Sequence, residues 1–100
     1  MKISADAGLL AVDIQNGFIC QNDELPVARG REVIPVINRL LPRFRVRVAS
    51  QDWHPGNHGS FASNNPGRRT FDVGDLGGVP QVFWPDHCVQ GTRGAEFHPE

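Results

Sequence analysis

The sequence predicts an α/β fold built on parallel strands. Three observations lead to this prediction: a short apolar run near the N-terminus, a stretch with helical apolar spacing, and a second strand pattern directly after it. A strand, a helix and a strand in this order form a βαβ unit. Such a unit places its two strands parallel in one sheet and joins them by a right-handed crossover.

The first strand is predicted over residues 8–14, which read GLLAVDI. This run is continuous, short and flanked by Gly8 and Gly17, which favours a buried parallel strand over a helix. The following residues 16–30, NGFICQNDELPVARG, show no sustained period. We therefore expect a loop between the first strand and the helix.

The helix is predicted over residues 30–44, which read GREVIPVINRLLPRF. Its apolar residues follow helical spacing and form one face. They are Val33, Val36, Ile37, Leu40, Leu41 and Phe44. Pro35 is tolerated only if it lies in the first turn, and Pro42 is expected to mark the end of the helix.

The second strand is predicted over residues 45–52, with Val46 and Val48 on the same side. Asp13 closes the first strand and Asp52 closes the second, so both acids lie at the carboxyl edge of the sheet. Open α/β sheets bind their ligands at that edge. Neighbouring strands are about 4.8 Å apart, and the two acids are therefore expected to belong to one site.

The second half of the chain gives weaker signals. Residues 61–80 are rich in Gly, Asn, Pro and Arg and are predicted to form a long irregular excursion, while residues 81–84, QVFW, suit a short strand. The remaining residues are expected to be loop. A sheet of two or three strands would keep an open edge, so residues 1–100 are interpreted as the N-terminal part of a single domain.

Composition narrows the function classes. The chain has 100 residues, of which 39% are apolar and 21% charged, as expected for one small globular domain. Ten basic residues against eleven acidic ones argue against a nucleic-acid or anionic-membrane partner. No apolar run suits a signal peptide or a membrane span, which predicts a cytoplasmic protein. Cys20 and Cys88 lie in no CxxC motif and are interpreted as reduced thiols.

The segment 51–61, QDWHPGNHGSF, gathers an acid and two histidines on a short loop. Asp52 and His54 are two residues apart at a strand end, where extended backbone directs both side chains to one side. A carboxylate and an imidazole in this arrangement suit zinc, iron or manganese. His87, in WPDHC, is the candidate third ligand, and His58 is a candidate fourth ligand or a partner of the ligands.

A purely structural role stays open for several of the candidate residues. His54 and His58 also suit local hydrogen bonds in a turn, and Asp13 suits a cap on the next turn. Phe18 and Trp84 are equally compatible with core aromatics. His98 is interpreted as a structural loop histidine. The sequence has neither a Gly-rich phosphate loop nor a serine nucleophile elbow, so nucleotide hydrolysis and serine-esterase chemistry are poorly supported.

Three segments, LLAVDIQNGF, SQDWHPGNHGSFA and FWPDHCVQGTRGAEFHPE, resemble the nicotinamidase/pyrazinamidase group of the isochorismatase-like cysteine hydrolases. The resemblance implies a three-layer α/β sandwich with a mostly parallel sheet. It implies hydrolysis of nicotinamide to nicotinate and ammonia in NAD salvage, with pyrazinamide as a further substrate. It also implies a divalent transition metal, with zinc ahead of iron or manganese.

The resemblance also implies roles for individual residues. Asp13 corresponds to the acid of the catalytic triad, which shuttles a proton. Asp52, His54 and His87 correspond to the metal ligands. His58 corresponds to a position that ligates the metal in some members of the group and not in others. Together these positions predict a metal centre beside one member of the triad.

Phe18 and Trp84 resemble the aromatic walls of the substrate pocket, and Gln15 is expected to help line it.

The group's catalytic lysine and nucleophilic cysteine are expected beyond Glu100, because Lys2 is the only lysine and neither cysteine lies in the nucleophile's motif. The predicted partners are therefore nicotinamide and the missing C-terminal half of the domain, with no nucleic acid and no membrane. A homo-oligomer is left open.

Two alternatives remain at this point. One is another isochorismatase-like cysteine hydrolase that acts on a different amide or on isochorismate, although the metal motif speaks against isochorismate. The other is a metal-binding module without catalysis, which the 100 residues taken literally would favour because they lack the matched lysine and cysteine.

Overall fold

A computed structural model describes residues 2–100 and contains the predicted βαβ unit. The first strand, β1, spans Gly8–Val12 and the second, β2, spans Val46–Ser50. They pair in parallel, with Gly8 opposite Val46 and Val12 opposite Ser50. β1 ends before the predicted Asp13 because that residue adopts a φ of 55°, in the left-handed region, which turns the chain out of the sheet.

Two helices lie between these strands. The first, α1, is a single turn over Asn16–Ile19 inside the segment that was predicted to be loop. The second, α2, spans Val33–Leu40 and holds Pro35 in its first turn, as predicted. A 3-10 turn over Leu41–Arg43 follows and contains Pro42, which ends the helix. Among residues 2–100 no helix has the length and apolar character needed to cross a bilayer.

Within residues 2–100, the parallel sheet of β1 and β2 is covered on one face and open on the other. On the covered side, Ala11 of β1 and Ala49 of β2 share an apolar cavity with Ile34 and Ile37 of α2. On the other side four apolar side chains are 54–60% exposed. They are Leu10, Val12, Val46 and Val48. The predicted α/β class is confirmed, and this chain shows two layers of the predicted three-layer sandwich.

An antiparallel hairpin was not predicted. Its strands are β3, Val73–Leu76, and β4, Val79–Val82. Gly77 and Gly78 connect them with φ values of 59° and 85°, the conformation in which a two-residue turn matches the twist of a hairpin. The prediction of an irregular excursion was therefore wrong over residues 73–80. The pair of glycines between two short β-forming runs was the missed signal.

The best-buried part of the molecule lies under the loops rather than under the sheet. The largest wholly buried side chains are Phe61, Phe83, Gln15 and Cys88. The ring of Phe61 packs 5.4 Å from the ring of His54 and 5.4 Å from that of His87, centroid to centroid. The imidazole rings of His54 and His87 therefore pack against Phe61, and this packing restricts their rotamers.

Replacing Phe83 with alanine should lower the free energy of unfolding of the complete protein by about 3–5 kcal/mol, because the ring is 1% exposed and its loss leaves a cavity. The matched control is Phe71→Ala, since that ring is 59% exposed. Urea unfolding followed by circular dichroism measures both variants. Equal destabilisation by the two substitutions would contradict the position assigned to the core.

Candidate metal centre

Asp52, His54 and His87 form one cluster. Each offers a ligand atom, and among the described residues these three atoms lie within 4.8 Å of one another. Oδ1 of Asp52 is 2.9 Å from Nε2 of His54, and Oδ2 of Asp52 is 3.5 Å from Nε2 of His87. Two imidazoles and one carboxylate are a ligand set that zinc, iron and manganese accept. The structure therefore brings together the three residues that the sequence singled out as ligands.

His87 has the hydrogen-bonding pattern of a metal ligand. Its Nδ1 lies 2.7 Å from the carbonyl oxygen of Pro85, so Nδ1 carries the proton and donates it to that oxygen. The lone pair is then on Nε2, the nitrogen that approaches Asp52. A backbone carbonyl that fixes the tautomer in this way is a common support for ligating histidines.

His58 lies beside the cluster and is oriented differently. The backbone N–H of Ser60 donates to Nδ1 of His58 at 3.1 Å. A nitrogen that accepts this bond is unprotonated, so in the neutral ring the proton is on Nε2 and that atom has no free lone pair. The His58 ring packs 4.5 Å from the ring of His54. In this arrangement His58 can support the ring of His54 by packing. Ligation of a metal by His58 stays a prediction.

Gln15 clamps the backbone of Asp52. Its side-chain Nε2 donates to the carbonyl oxygen of Asp52 at 2.8 Å, and its Oε1 accepts from the Asp52 N–H at 2.8 Å. Nε2 also donates to the carbonyl oxygen of Ala95 at 2.8 Å. Gln15 has no exposed surface. Its amide thus continues the pairing of β1 and β2 beyond the strand ends, a role that no local sequence pattern signalled. Its contact with substrate stays a prediction.

The backbone around Cys88 joins the two histidine loops. The N–H of His54 donates to the carbonyl oxygen of Cys88 at 2.9 Å, and the N–H of Gln90 donates to the carbonyl oxygen of His54 at 2.8 Å. These two bonds form a short parallel bridge between His54 and Val89. Because His87 directly precedes Cys88, the bridge sets the separation of two candidate ligands.

The thiol of Cys88 is poorly suited to nucleophilic attack. Burial, followed by the negative charges of Asp52 and Glu24, raises its pKa to about 12. At neutral pH the thiol is therefore protonated, whereas nucleophilic attack needs a thiolate. Cys20 and Cys88 are both free thiols, as predicted.

Asp13 lies at the carboxyl edge of the sheet. Its Oδ1 accepts a hydrogen bond of 2.8 Å from the hydroxyl of Ser50, the last residue of β2. Asp13 and Phe18 line an open cavity of about 500 Å³ together with Val27 and Val33. This volume is within the range of small-molecule pockets.

Phe18 and Trp84 differ in their relation to the cluster. The ring of Phe18 is 5.7 Å from that of His87, so Phe18 lies between the cavity and the candidate metal centre. Trp84 is half-buried, and its backbone pairs with the loop that follows the histidines, since its N–H donates to the carbonyl oxygen of Ser60 at 2.8 Å. His98 lies outside the cluster, and its backbone N–H donates to the carbonyl oxygen of Ile14, in agreement with a structural histidine.

No protein-family model matches the chain. The nicotinamidase of Acinetobacter baylyi is 50% identical over 99 residues, which cover 99% of this chain and 46% of that protein. The solved structure of an Acinetobacter nicotinamidase/pyrazinamidase superposes with a TM-score of 0.88 at 48% identity, over 98% of this chain and 47% of the other. The resemblance to the nicotinamidases is confirmed.

A second similar structure is the pyrazinamidase of Pyrococcus horikoshii in complex with zinc, with a TM-score of 0.68 and 37% identity over 93% of this chain and 45% of that one. This chain thus spans about half the length of the relatives that it matches. The shared half includes the segments that carry the candidate metal cluster.

Replacing His54 with alanine in the complete protein should lower the bound metal to a small fraction of the wild-type content, because one of three ligands is lost. His58→Ala should lower it less, since Nε2 of His58 carries a proton in the neutral ring. Metal per protein after dialysis, measured by atomic emission, tests both. An equal loss in the two variants would make His58 a true ligand.

Proposed function

We propose that the complete protein containing this chain hydrolyses nicotinamide to nicotinate and ammonia, with pyrazinamide as a second substrate. The observation that carries the proposal is the cluster of Asp52, His54 and His87 beside Phe18, which also lines the cavity that contains Asp13, in a chain with 50% identity to a nicotinamidase. A cytoplasmic location and a part in NAD salvage are predictions that depend on this proposal.

Asp52, His54 and His87 are proposed to hold a divalent transition metal, which we take to be zinc. The similar pyrazinamidase of Pyrococcus horikoshii in complex with zinc supports this choice, and the donor set is also compatible with iron or manganese. When bound, the metal supplies a positive centre that attracts the ring nitrogen of the substrate. Three protein ligands leave positions open for such a contact.

Asp13 is proposed to move protons. Amide hydrolysis by a thiol needs a base that takes the thiol proton and an acid that gives a proton to the leaving ammonia. A single carboxylate can perform both transfers in turn. Ser50 donates to Oδ1 of Asp13 at 2.8 Å and so fixes the orientation of the carboxylate at the edge of the cavity.

Phe18 and Trp84 are proposed to bound the aromatic ring of the substrate. Phe18 already lines the cavity and contacts His87, which suits a wall between the cavity and the metal. Flat apolar surfaces on the two sides of a pyridine or pyrazine ring orient the amide for attack and supply proximity.

A second half of the domain is proposed to complete the site. The exposed apolar face of β1 and β2 supports this, because it presents Leu10, Val12, Val46 and Val48 to solvent in the described residues. Further helices covering that face would create the third layer of the fold. The catalytic lysine and the nucleophilic cysteine are proposed to come from this half.

Asp13→Asn in the complete enzyme should lower the turnover of nicotinamide by about two orders of magnitude or more, as loss of a positioned proton-transfer group does. Metal content should be unchanged, since Asp13 is outside the ligand cluster. Ammonia release measures the turnover. Wild-type turnover in this variant would make Asp13 a structural acid, and a wild type that releases no ammonia would refute the proposed function.

Residues 1–100 expressed alone should release no ammonia from nicotinamide, even with added zinc, iron or manganese. The reason is that Cys88 is buried and protonated while the proposed nucleophile is elsewhere. Adding the proposed second half, in the same chain or as a separate piece, should restore activity because complementary core faces can still pack. Activity of the 100 residues alone, abolished by Cys88→Ala, would identify Cys88 as the nucleophile.

A further inference from the structure

We infer that Glu24 is a positioning residue for the candidate metal centre: its carboxylate holds the peptide of Cys88 and thereby sets His54 and His87 in place. This inference deepens the proposed function and rests on the metal site proposed there. Glu24 lies in the loop between α1 and α2, a segment in which no sequence pattern indicated a functional residue.

The contact itself is a charge-assisted hydrogen bond. The backbone N–H of Cys88 donates to Oε1 of Glu24 at 2.9 Å, between residues 64 positions apart in the chain. Glu24 is only partly exposed, so water competes weakly for this bond. A bond from an N–H to an ionised carboxylate is stronger than one to a neutral acceptor.

The acceptor serves a residue in an unfavourable backbone conformation. Cys88 has a φ of 48°, in the left-handed region that side chains other than glycine rarely adopt. Such a conformation persists only where the surroundings hold it. Glu24 holds the N–H side of Cys88, while the carbonyl side accepts the N–H of His54. Loss of the carboxylate would let this peptide rotate, and His87 would move with it.

Two glycines make room for the carboxylate. A Cβ added at Gly94 would overlap the carboxylate of Glu24, and one added at Gly17 would lie 2.9 Å from Oε1. Neither glycine has a positive φ, so neither is required by the backbone conformation. The carboxylate of Glu24 fills the space that side chains at Gly17 and Gly94 would occupy. The two glycines therefore form a cavity that fits this carboxylate.

The preceding acid fastens the same loop to the same turn. Asp23 pairs with Arg93, the neighbour of Gly94, with 2.5 Å between Oδ2 and Nη1. Oδ1 of Asp23 also accepts the N–H of Glu24 at 2.9 Å. Asp23 thus fixes the loop at the surface, directly before the residue that accepts the N–H of Cys88.

The test measures Co²⁺ binding to metal-free complete protein, by titration of the visible d–d absorption. Glu24→Ala should weaken Co²⁺ binding by about 10- to 100-fold, as loss of a group that supports metal ligands does, and should change the d–d band because the ligand geometry changes. Glu24→Gln keeps an acceptor oxygen and should retain most of the affinity. Glu32→Ala is the control, since Glu32 is an exposed acid paired with Arg29.

A double-mutant cycle with Gly94 separates positioning from general damage. Gly94→Ala should weaken Co²⁺ binding in the wild type, because the methyl group displaces the carboxylate, and should cost little in the Glu24→Ala background. Such non-additivity is the signature of a shared contact. If Glu24→Ala folds poorly, Gly94→Ala alone tests the inference, and wild-type Co²⁺ affinity in Gly94→Ala would overturn it.

The outcomes are distinguishable from failure of the proposed function. Co²⁺ affinity and d–d spectrum equal to wild type in Glu24→Ala, or additive effects of Glu24→Ala and Gly94→Ala, would overturn the role of Glu24 alone, provided that the wild type binds Co²⁺ and hydrolyses nicotinamide. A wild type that binds no Co²⁺ would overturn the metal site and this inference together.

Discussion

The pairing of the His54 loop with the Cys88 loop is the contact on which the candidate site depends. Two backbone hydrogen bonds, from His54 to Cys88 and from Gln90 to His54, bring together segments that are distant in the sequence. Asp52 is fixed separately, because the amide of Gln15 pairs with its backbone. The ligand cluster is therefore set by main-chain geometry, and the side chains have little further freedom to lose when a metal binds.

Burial strengthens this arrangement. Phe61 has no exposed surface and packs against the rings of His54 and His87. The buried apolar ring of Phe61 lowers the local dielectric, which makes the charge–dipole contacts beside it stronger than they would be in water. Among residues 2–100 every buried side-chain nitrogen or oxygen has a hydrogen-bond partner. No unpaired buried polar side chain therefore reduces the stability of the site.

The sheet has the opposite character. β1 and β2 are packed on one face by α2, and the other face presents apolar side chains to solvent. Two paired strands are marginal without cover on both faces in a parallel sheet. Stability and the proposed catalysis would thus depend on the same proposed addition, since the half that would cover this face would also carry the nucleophile. The candidate metal centre, by contrast, is assembled within the 100 residues.

By itself the sequence determined the βαβ unit and the identity of the candidate ligands. Apolar periodicity is local, so GLLAVDI and the Val33–Leu40 helix could be predicted from residues near one another, and Asp52 and His54 lie two positions apart just after the second strand. Only the tertiary structure placed His87 against them, assigned Gln15 to the backbone of Asp52, and put Glu24 on the peptide of Cys88. These contacts join residues 35 to 64 positions apart. They depend on backbone torsions and on space left by glycines, and neither leaves a periodic trace in the sequence.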